Sequence, residues 1–326
     1  GSYVNADGCD YAIVANVSEG RNAAIVESCA AAIRAAPGVA LLDTHVDADH
    51  DRSVFTYAAS GNTAVAGAAL SAATLRLAER TTAAIDLRSA EKSGIDRGVH
   101  PRIGALDVVP VVPISAGGTL DGAASIARAI AAAIGAFGLP VHCYGAAARS
   151  EERRTLISIR RGEFEGLGAR HATPEGAPDF GPMAPHPSAG AVAVGARLPM
   201  VAWNIELLAP IGPAGLHVAR TVARQVRASA GGRQSIGGLQ ALGFLLARRG
   251  VAQVSMNLHD AAAAADRGDT LHRIRTAIAN LAREHGAEIG ESEIVGLVHE
   301  RVLRAGGDPG ELHIRGGWER AALERR

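Results

Sequence analysis

Lysine is almost absent. Lys92 is the only one in 326 residues, so the basic side chains are otherwise arginines. A single ε-amine argues against Schiff-base and pyridoxal phosphate chemistry, and no G-x-x-x-x-G-K-[ST] phosphate loop occurs. Net charge is missing as well: Lys plus Arg and Asp plus Glu both total 33, which gives the chain nothing to draw it onto nucleic acid or an anionic membrane. Cysteine is scarce and scattered. Cys9, Cys29 and Cys143 form neither a disulfide framework nor a C-x-x-C pair, which excludes a zinc ribbon and fits a reducing cytoplasm. There is no G-x-S-x-G elbow and no G-x-G-x-x-G after a strand. The opening Gly-Ser reads as a tag remnant, and no secretory leader is expected. Ala129 to Ala148 carries no charge and is long enough to span a membrane, but Gly135, Gly138, Pro140 and His142 interrupt it. It is expected to be a buried helix, a turn and a strand.

The chain is long enough for two domains of ordinary size. Short β-branched runs alternate with alanine-rich helical stretches through the first half, an α/β signal. Strands are expected at 11–17, 39–46, 52–59, 108–114 and 140–145, and helices at 23–36, 63–80 and 120–136. A further helix should end in the Arg-rich "RRTLISIRRGEFEG". Past "EGAPDFGPMAPHPSAG", which should end near a domain boundary, "MVAWNIELL" reads as a strand and 215–227 as a helix. "LQALGFLLARRGVAQVSMNLHD" reads as an antiparallel hairpin turning at Arg248 to Gly250. Closing helices are expected at 263–284, 293–304 and 316–324. The domains divide as 1–199 and 200–326.

Two clusters could carry chemistry. In "GVHPRIGALD", His100 precedes a proline, which stiffens its backbone, and Gly98 and Gly104 permit close approach on either side. Asp107 stands at the mouth of an otherwise apolar strand, where α/β proteins tend to place reactive groups. Spacing alone leaves His100 either a corner residue or a catalyst. The second cluster, "DTHVDADHDRS", holds His45, His50, Asp43, Asp47, Asp49, Asp51 and Arg52. It could be a solvated loop or, through His45, Asp47 and His50, the centre of a metal-dependent hydrolase. Arg52, Arg102, Arg149, Arg153, Arg160 and Arg197 fall at strand ends or in loops; gathered on a cleft they would suit a substrate with several carboxylates.

Eight stretches occur in a telling order: "VANVSEGRN", "LLDTHVDADHDRSVFT", "VHPRIGALDVVPVVPI", "PVHCYGAAA", "RRTLISIRRGEFEGL", "PDFGP", "GAVAVGARLPMVAWNIELL" and "VAQVSMNLHD". From about Ile13 to Gly306 the chain resembles the formiminotransferase domain, in a stand-alone form without the cyclodeaminase of the bifunctional enzyme. The resemblance implies two subdomains, each a mixed β-sheet with helices on its outer face, the sheets facing across a cleft that holds a folate. It implies transfer of a formimino group from N-formiminoglutamate to N5 of tetrahydrofolate, which serves as co-substrate with no metal. It makes His100 the catalytic acid/base and assigns folate contacts to two segments. The first is Gly181, Pro182, Met183, Ala184, Pro185, His186, Pro187, Ser188, Ala189 and Gly190. The second is Gln234, Ser235, Ile236, Gly237, Gly238, Leu239, Gln240, Ala241, Leu242 and Gly243. Asp43, His45, Arg52, Arg102, Asp47 and Asp107 become candidates for holding substrate or balancing the amidine's charge. Formiminoglycine, or 5-formyltetrahydrofolate as a formyl donor, would be the alternative substrates on the same fold. A cytoplasmic homodimer acting on small molecules is expected, with no nucleic acid or membrane partner. The sequence departs from better-known members at His45, where they have an acid, at Gly237-Gly238, where they have lysines, and at Ala189, where they have an aromatic ring.

Overall fold

In the computed structural model, residues 8–94, 97–210, 212–227, 231 and 235–326 are described. The chain divides into two compact units, Gly1–Arg197 and Leu198–Arg326.

The first unit opens with β1 (Cys9–Val17), α1 (Ala23–Arg34), β2 (Val39–Asp47), β3 (Arg52–Ser60) and α2 (Thr63–Ala84). A short α3 (Ala90–Ser93) follows, then β4 (Leu106–Pro113), α4 (Leu120–Phe137) and β5 (Val141–Gly145). It closes with α5 (Leu156–Arg160), α6 (Leu167–His171) and β6 (Val192–Ala196). The sheet order is β2-β3-β1-β4-β6-β5. The β2, β3, β1 and β4 pairings are antiparallel, and β4–β6 and β6–β5 are parallel.

Period-two alternation explains the layering. Tyr11, Ile13, Ala15 and Val17 of β1 pack with Phe55 and Tyr57 of β3 against α1, α2 and α4, while Ala12, Val14 and Asn16 take the opposite face. The helices start where short polar side chains can satisfy orphan amides: Asn22, Asn62 and Thr119 each accept from the first turn. Helix α4 is long and apolar enough to cross a membrane by length and composition. Here Ala123, Ile126, Ala127, Ile130 and Ile134 are buried in the core beneath the sheet, as the interruptions at Gly138 and Pro140 suggested.

The Arg-rich stretch does not end a long helix. It forms a single 3₁₀ turn at Glu151–Arg153 and the short α5 and α6, whose Ile159 and Leu167 cover Val108, Tyr144 and Ala193 on the other sheet face. The strand at 192–196 was not anticipated either. It is five residues of small and apolar side chains, and its place depends on parallel partners far away in sequence.

The second unit contains β7 (Val201–Leu208), α7 (Pro213–Val226), β8 (Leu239–Leu246), β9 (Val251–Leu258), α8 (Ala261–Asp266), α9 (Leu271–Glu284), β10 (Glu288–Val295) and α10 (Glu300–Arg304). Its four strands run antiparallel in the order β10-β7-β9-β8, with the expected hairpin at β8–β9. Trp203, Ile205, Val254 and Met256 join α7 and α9 in one core. Three expectations fail here. The helix expected over 263–284 breaks at Gly268, whose φ of +85° belongs to a left-handed turn, and restarts at a Thr270 cap. The helix expected over 293–304 is present only as α10, because residues 288–295 form a strand whose pairing with β7 outweighs the helix preference of its glutamates. Residues 316–324 make only 3₁₀ turns after two positive-φ glycines, Gly316 and Gly317.

Candidate active site

The acidic loop and the H-P-R motif, some fifty residues apart in sequence, meet at one end of the first sheet. Val99 N–H donates to Asp49 C=O at 3.3 Å. Gly98 lies so close to the loop that a Cβ there would sit 2.1 Å from the His50 carbonyl oxygen, so only glycine permits the approach. Together they enclose a concavity of about 330 Å³, including the solvent at its mouth, lined in part by Asn16, Ser18, His50, Arg52, His100 and Asp107.

His100 lies in a bend outside helix and strand and is half-buried. Its Nδ1 is 2.8 Å from the Pro101 carbonyl oxygen. A carbonyl only accepts, so in the neutral ring Nδ1 carries the proton and Nε2 keeps a lone pair. The pKa is pushed well below the ordinary histidine value, first by desolvation and then by the charges of Arg52 and Arg160 and by His50; the Pro101 bond opposes this. Near neutral pH the ring is therefore a base.

The His50 ring stands edge-on to His100, with centroids 6.3 Å apart. Its Nδ1 is 2.7 Å from Asp47 Oδ2, and Asp47 Oδ1 accepts from the backbone N–H groups of Asp49 and His50 at 3.0 Å each. Burial would raise the Asp47 pKa, but the His50 side-chain bond and charge, its backbone N–H and the Arg52 charge outweigh it and hold the carboxyl well below its usual range. Asp47 and His50 thus form a buried acid–imidazole pair beside His100.

Beneath the loop lies a group that sequence reasoning missed. Buried Lys92 on α3 donates to both Asp51 oxygens at 2.8 Å and lies 3.0 Å from Glu19 Oε2. Glu19 in turn accepts from Arg21 N–H and Asn22 N–H, ahead of α1. Nothing in the sequence links 19, 51 and 92. The one available sign was the solitary lysine itself.

Asp107 is buried and is already engaged. Its Oδ1 accepts from Ile103 N–H at 2.7 Å and Gly104 N–H at 3.3 Å, and Oδ2 pairs with the Arg160 guanidinium. Arg102 grips Glu165 through both nitrogens at 2.9 and 3.1 Å and donates to Lys92 C=O. Of the six arginines singled out, Arg52 and Arg102 line the concavity and Arg160 reaches it through Asp107. Arg149 and Arg153 turn to Asp179, away from this group. Arg197 follows β6, where its backbone N–H donates to Val111 C=O. Asp43 and His45 lie on β2, opposite Thr56 and Val54 of β3.

The first segment assigned to folate adjoins the motif. Gly190 bridges Gly104, Ala105 N–H donates to Ala189 C=O at 3.0 Å, and Ala191 N–H donates to Ile103 C=O at 3.0 Å. Residues Gly181 to Ala184 are exposed, whereas Ala189 and Gly190 are buried against residues 103–105. In the second segment Gln234 lies outside the described residues. Ser235 is half-buried and Ile236 buried, Gly237 and Gly238 form an exposed turn, and Leu239 to Gly243 open β8. Leu239 and Ala241 enter the core of the second unit, while Gln240 and Leu242 point to the other face.

Two family descriptions match in series, the formiminotransferase domain, N-terminal subdomain, over residues 11–197 and the formiminotransferase domain over 202–308. The chain is 34% identical to a glutamate formimidoyltransferase of Streptococcus pyogenes serotype M1, over 89% of each protein. It is 32% identical to one of Thermoplasma acidophilum, over 89% of this chain and 88% of that protein. The formimidoyltransferase-cyclodeaminase of Gallus gallus is 34% identical over 93% of this chain, which spans 52% of that longer protein. With both halves matched and this identity extending along most of its length, the chain belongs to the formiminotransferase family.

Proposed function

We propose that this protein is a one-carbon transferase that moves the formimino group of N-formimino-L-glutamate to N5 of tetrahydrofolate, its co-substrate. The observation that carries this reading is the neutral His100 ring, with Nε2 unprotonated, beside a concavity in a chain of this family. N5 attacks the amidine carbon, the new C–N bond forms, and the carbon becomes a tetrahedral centre bearing three nitrogens. Nε2 takes the proton from N5 and returns one to the glutamate nitrogen. That C–N bond then breaks, releasing glutamate as a neutral amine. One imidazole balances the protons of both steps, a role for which histidine is suited near neutral pH.

The amidine is cationic, so carboxylates rather than an oxyanion hole should stabilise it. Asp47 fits this role, being held ionised by its surroundings. Asp107 supports the site from behind by fixing Arg160 and the 103–104 turn. Arg52, which lines the concavity, suits a substrate carboxylate. We assign Gly181 to Gly190 and Gln234 to Gly243 as the folate contacts, and expect a cytoplasmic homodimer.

Relatives whose names specify glutamate and formimidoyl transfer disfavour formiminoglycine or a formyl donor. They equally disfavour a metal-dependent hydrolase on His45, Asp47 and His50. Purified protein supplied with both substrates should form 5-formiminotetrahydrofolate and glutamate, followed by product mass spectrometry. Failure to form that product from any folate and formimino-amino-acid pair would overturn the reading.

A further inference from the structure

On the sheet face away from α1, α2 and α4, a second histidine pair forms a continuous chain of hydrogen bonds that the transfer chemistry does not use. His142 is fully buried on β5 and His171, at the end of α6, is nearly so. The Arg153 guanidinium donates to His142 Nδ1 at 2.8 Å. Arginine has only donors, so Nδ1 must accept and the His142 proton resides on Nε2. That Nε2 lies 2.8 Å from His171 Nε2, which must therefore accept, leaving the His171 proton on Nδ1. Nδ1 donates in turn to the Met183 carbonyl oxygen, also at 2.8 Å. Every proton is placed by its partner, and both rings must be neutral.

The chain ends on the segment proposed to contact folate. Met183 is 55% exposed while its carbonyl is held from within, so the relay grips backbone and leaves the outer surface available. The far end of the same segment is fixed by Gly190 and Ala189 against residues 103–105, directly after the H-P-R motif. We infer that His142 and His171 are positioning residues, which set the 181–190 segment for its ligand through the Met183 carbonyl without touching substrate. This rests on the folate reading of that segment.

The groups facing the two rings are Arg149, Arg153, Arg170 and Asp179, three cations against one anion. Burial first and these cations next lower the pKa of His142 to about 2, and burial likewise lowers that of His171. Protonating His171 on Nε2 would point two N–H groups at each other across 2.8 Å and break the chain.

The test pairs hydrogen exchange across 181–190 with steady-state kinetics of the full chain. In His171→Phe, which fills the site but neither donates nor accepts, exchange at 183–190 should quicken about tenfold. The KM for tetrahydrofolate should rise by a similar factor, with kcat and the KM for the formimino donor within twofold. His171→Gln, which retains one donor and one acceptor, should recover most of both effects. Unchanged exchange in the folded variant, or a loss spread equally over kcat and both KM values, would overturn the inference. Should His171→Phe fail to fold, wild-type exchange corrected for intrinsic rate decides instead. It should rise at 183–190 ahead of the strands as pH falls below 6, and a flat profile there would refute the relay. If the wild type makes no product at all, the proposed function falls, while the exchange result still decides whether the relay holds the segment.

Discussion

Asp107 in the first unit and Gln253 in the second are both almost completely buried polar residues, 2% and 1% exposed, and their surroundings could hardly differ more. Asp107 is saturated by two backbone N–H groups and a guanidinium. Gln253 Oε1 and Asn204 Nδ2, on the sheet face of the second unit opposite its helices, make no hydrogen bond among the described residues. An unsatisfied buried polar atom costs about 1–3 kcal/mol, so the Asp107 carboxylate gains structure from its partners where the Gln253 and Asn204 amides lose stability. The reacting ring is held separately, in one tautomer before substrate arrives, by the Pro101 carbonyl on His100 Nδ1.

The contrast can be broken by four substitutions. The largest effect should come from His100→Ala, with kcat down by about 10² to 10⁴ and folding unchanged, measured by product formation and thermal melting. Next is Asp107→Asn, which strips the charge partner from Arg160 and should cost about 3–5 kcal/mol by denaturant unfolding. An unaffected midpoint would show that the Asp107 network contributes no stability. Arg52→Gln should act more gently, on pH dependence. His100 works as a base when neutral, so its lowered pKa keeps the acid limb of kcat/KM at low pH. Removing the Arg52 charge should move that limb upward toward 6.5, though not all the way, since burial is the larger cause. Smallest is Gln253→Met, which removes the orphaned oxygen and keeps the volume; stability should stay level or rise by up to about 1 kcal/mol. A clear loss of stability there would erase the difference between Asp107 and Gln253.

Much of the first unit was legible because its signals are local. Alternation in β1 and β3, asparagine caps ahead of α1 and α2, and Pro37-Gly38 after α1 each need only a few residues. β10 and β6 were missed because pairing with remote strands decides them. His100 was singled out by its glycines and proline, and those do bring the backbone in close. Its protonation state was beyond reach, since it depends on Arg52, Arg160 and His50, whose convergence is a matter of tertiary structure. The same holds for His142 and His171. Twenty-nine residues and two elements separate them, and no spacing rule pairs them.

The solitary lysine has a practical consequence. Its ε-amine is enclosed by Asp51 and Glu19 under the loop that carries His50, so reagents that acylate amines should find no side-chain target in the native protein. Acylation of Lys92 would require this enclosure to open, and each molecule modified at Lys92 would record one such opening. The protein thus carries its own single-site counter for the breathing of its candidate active site.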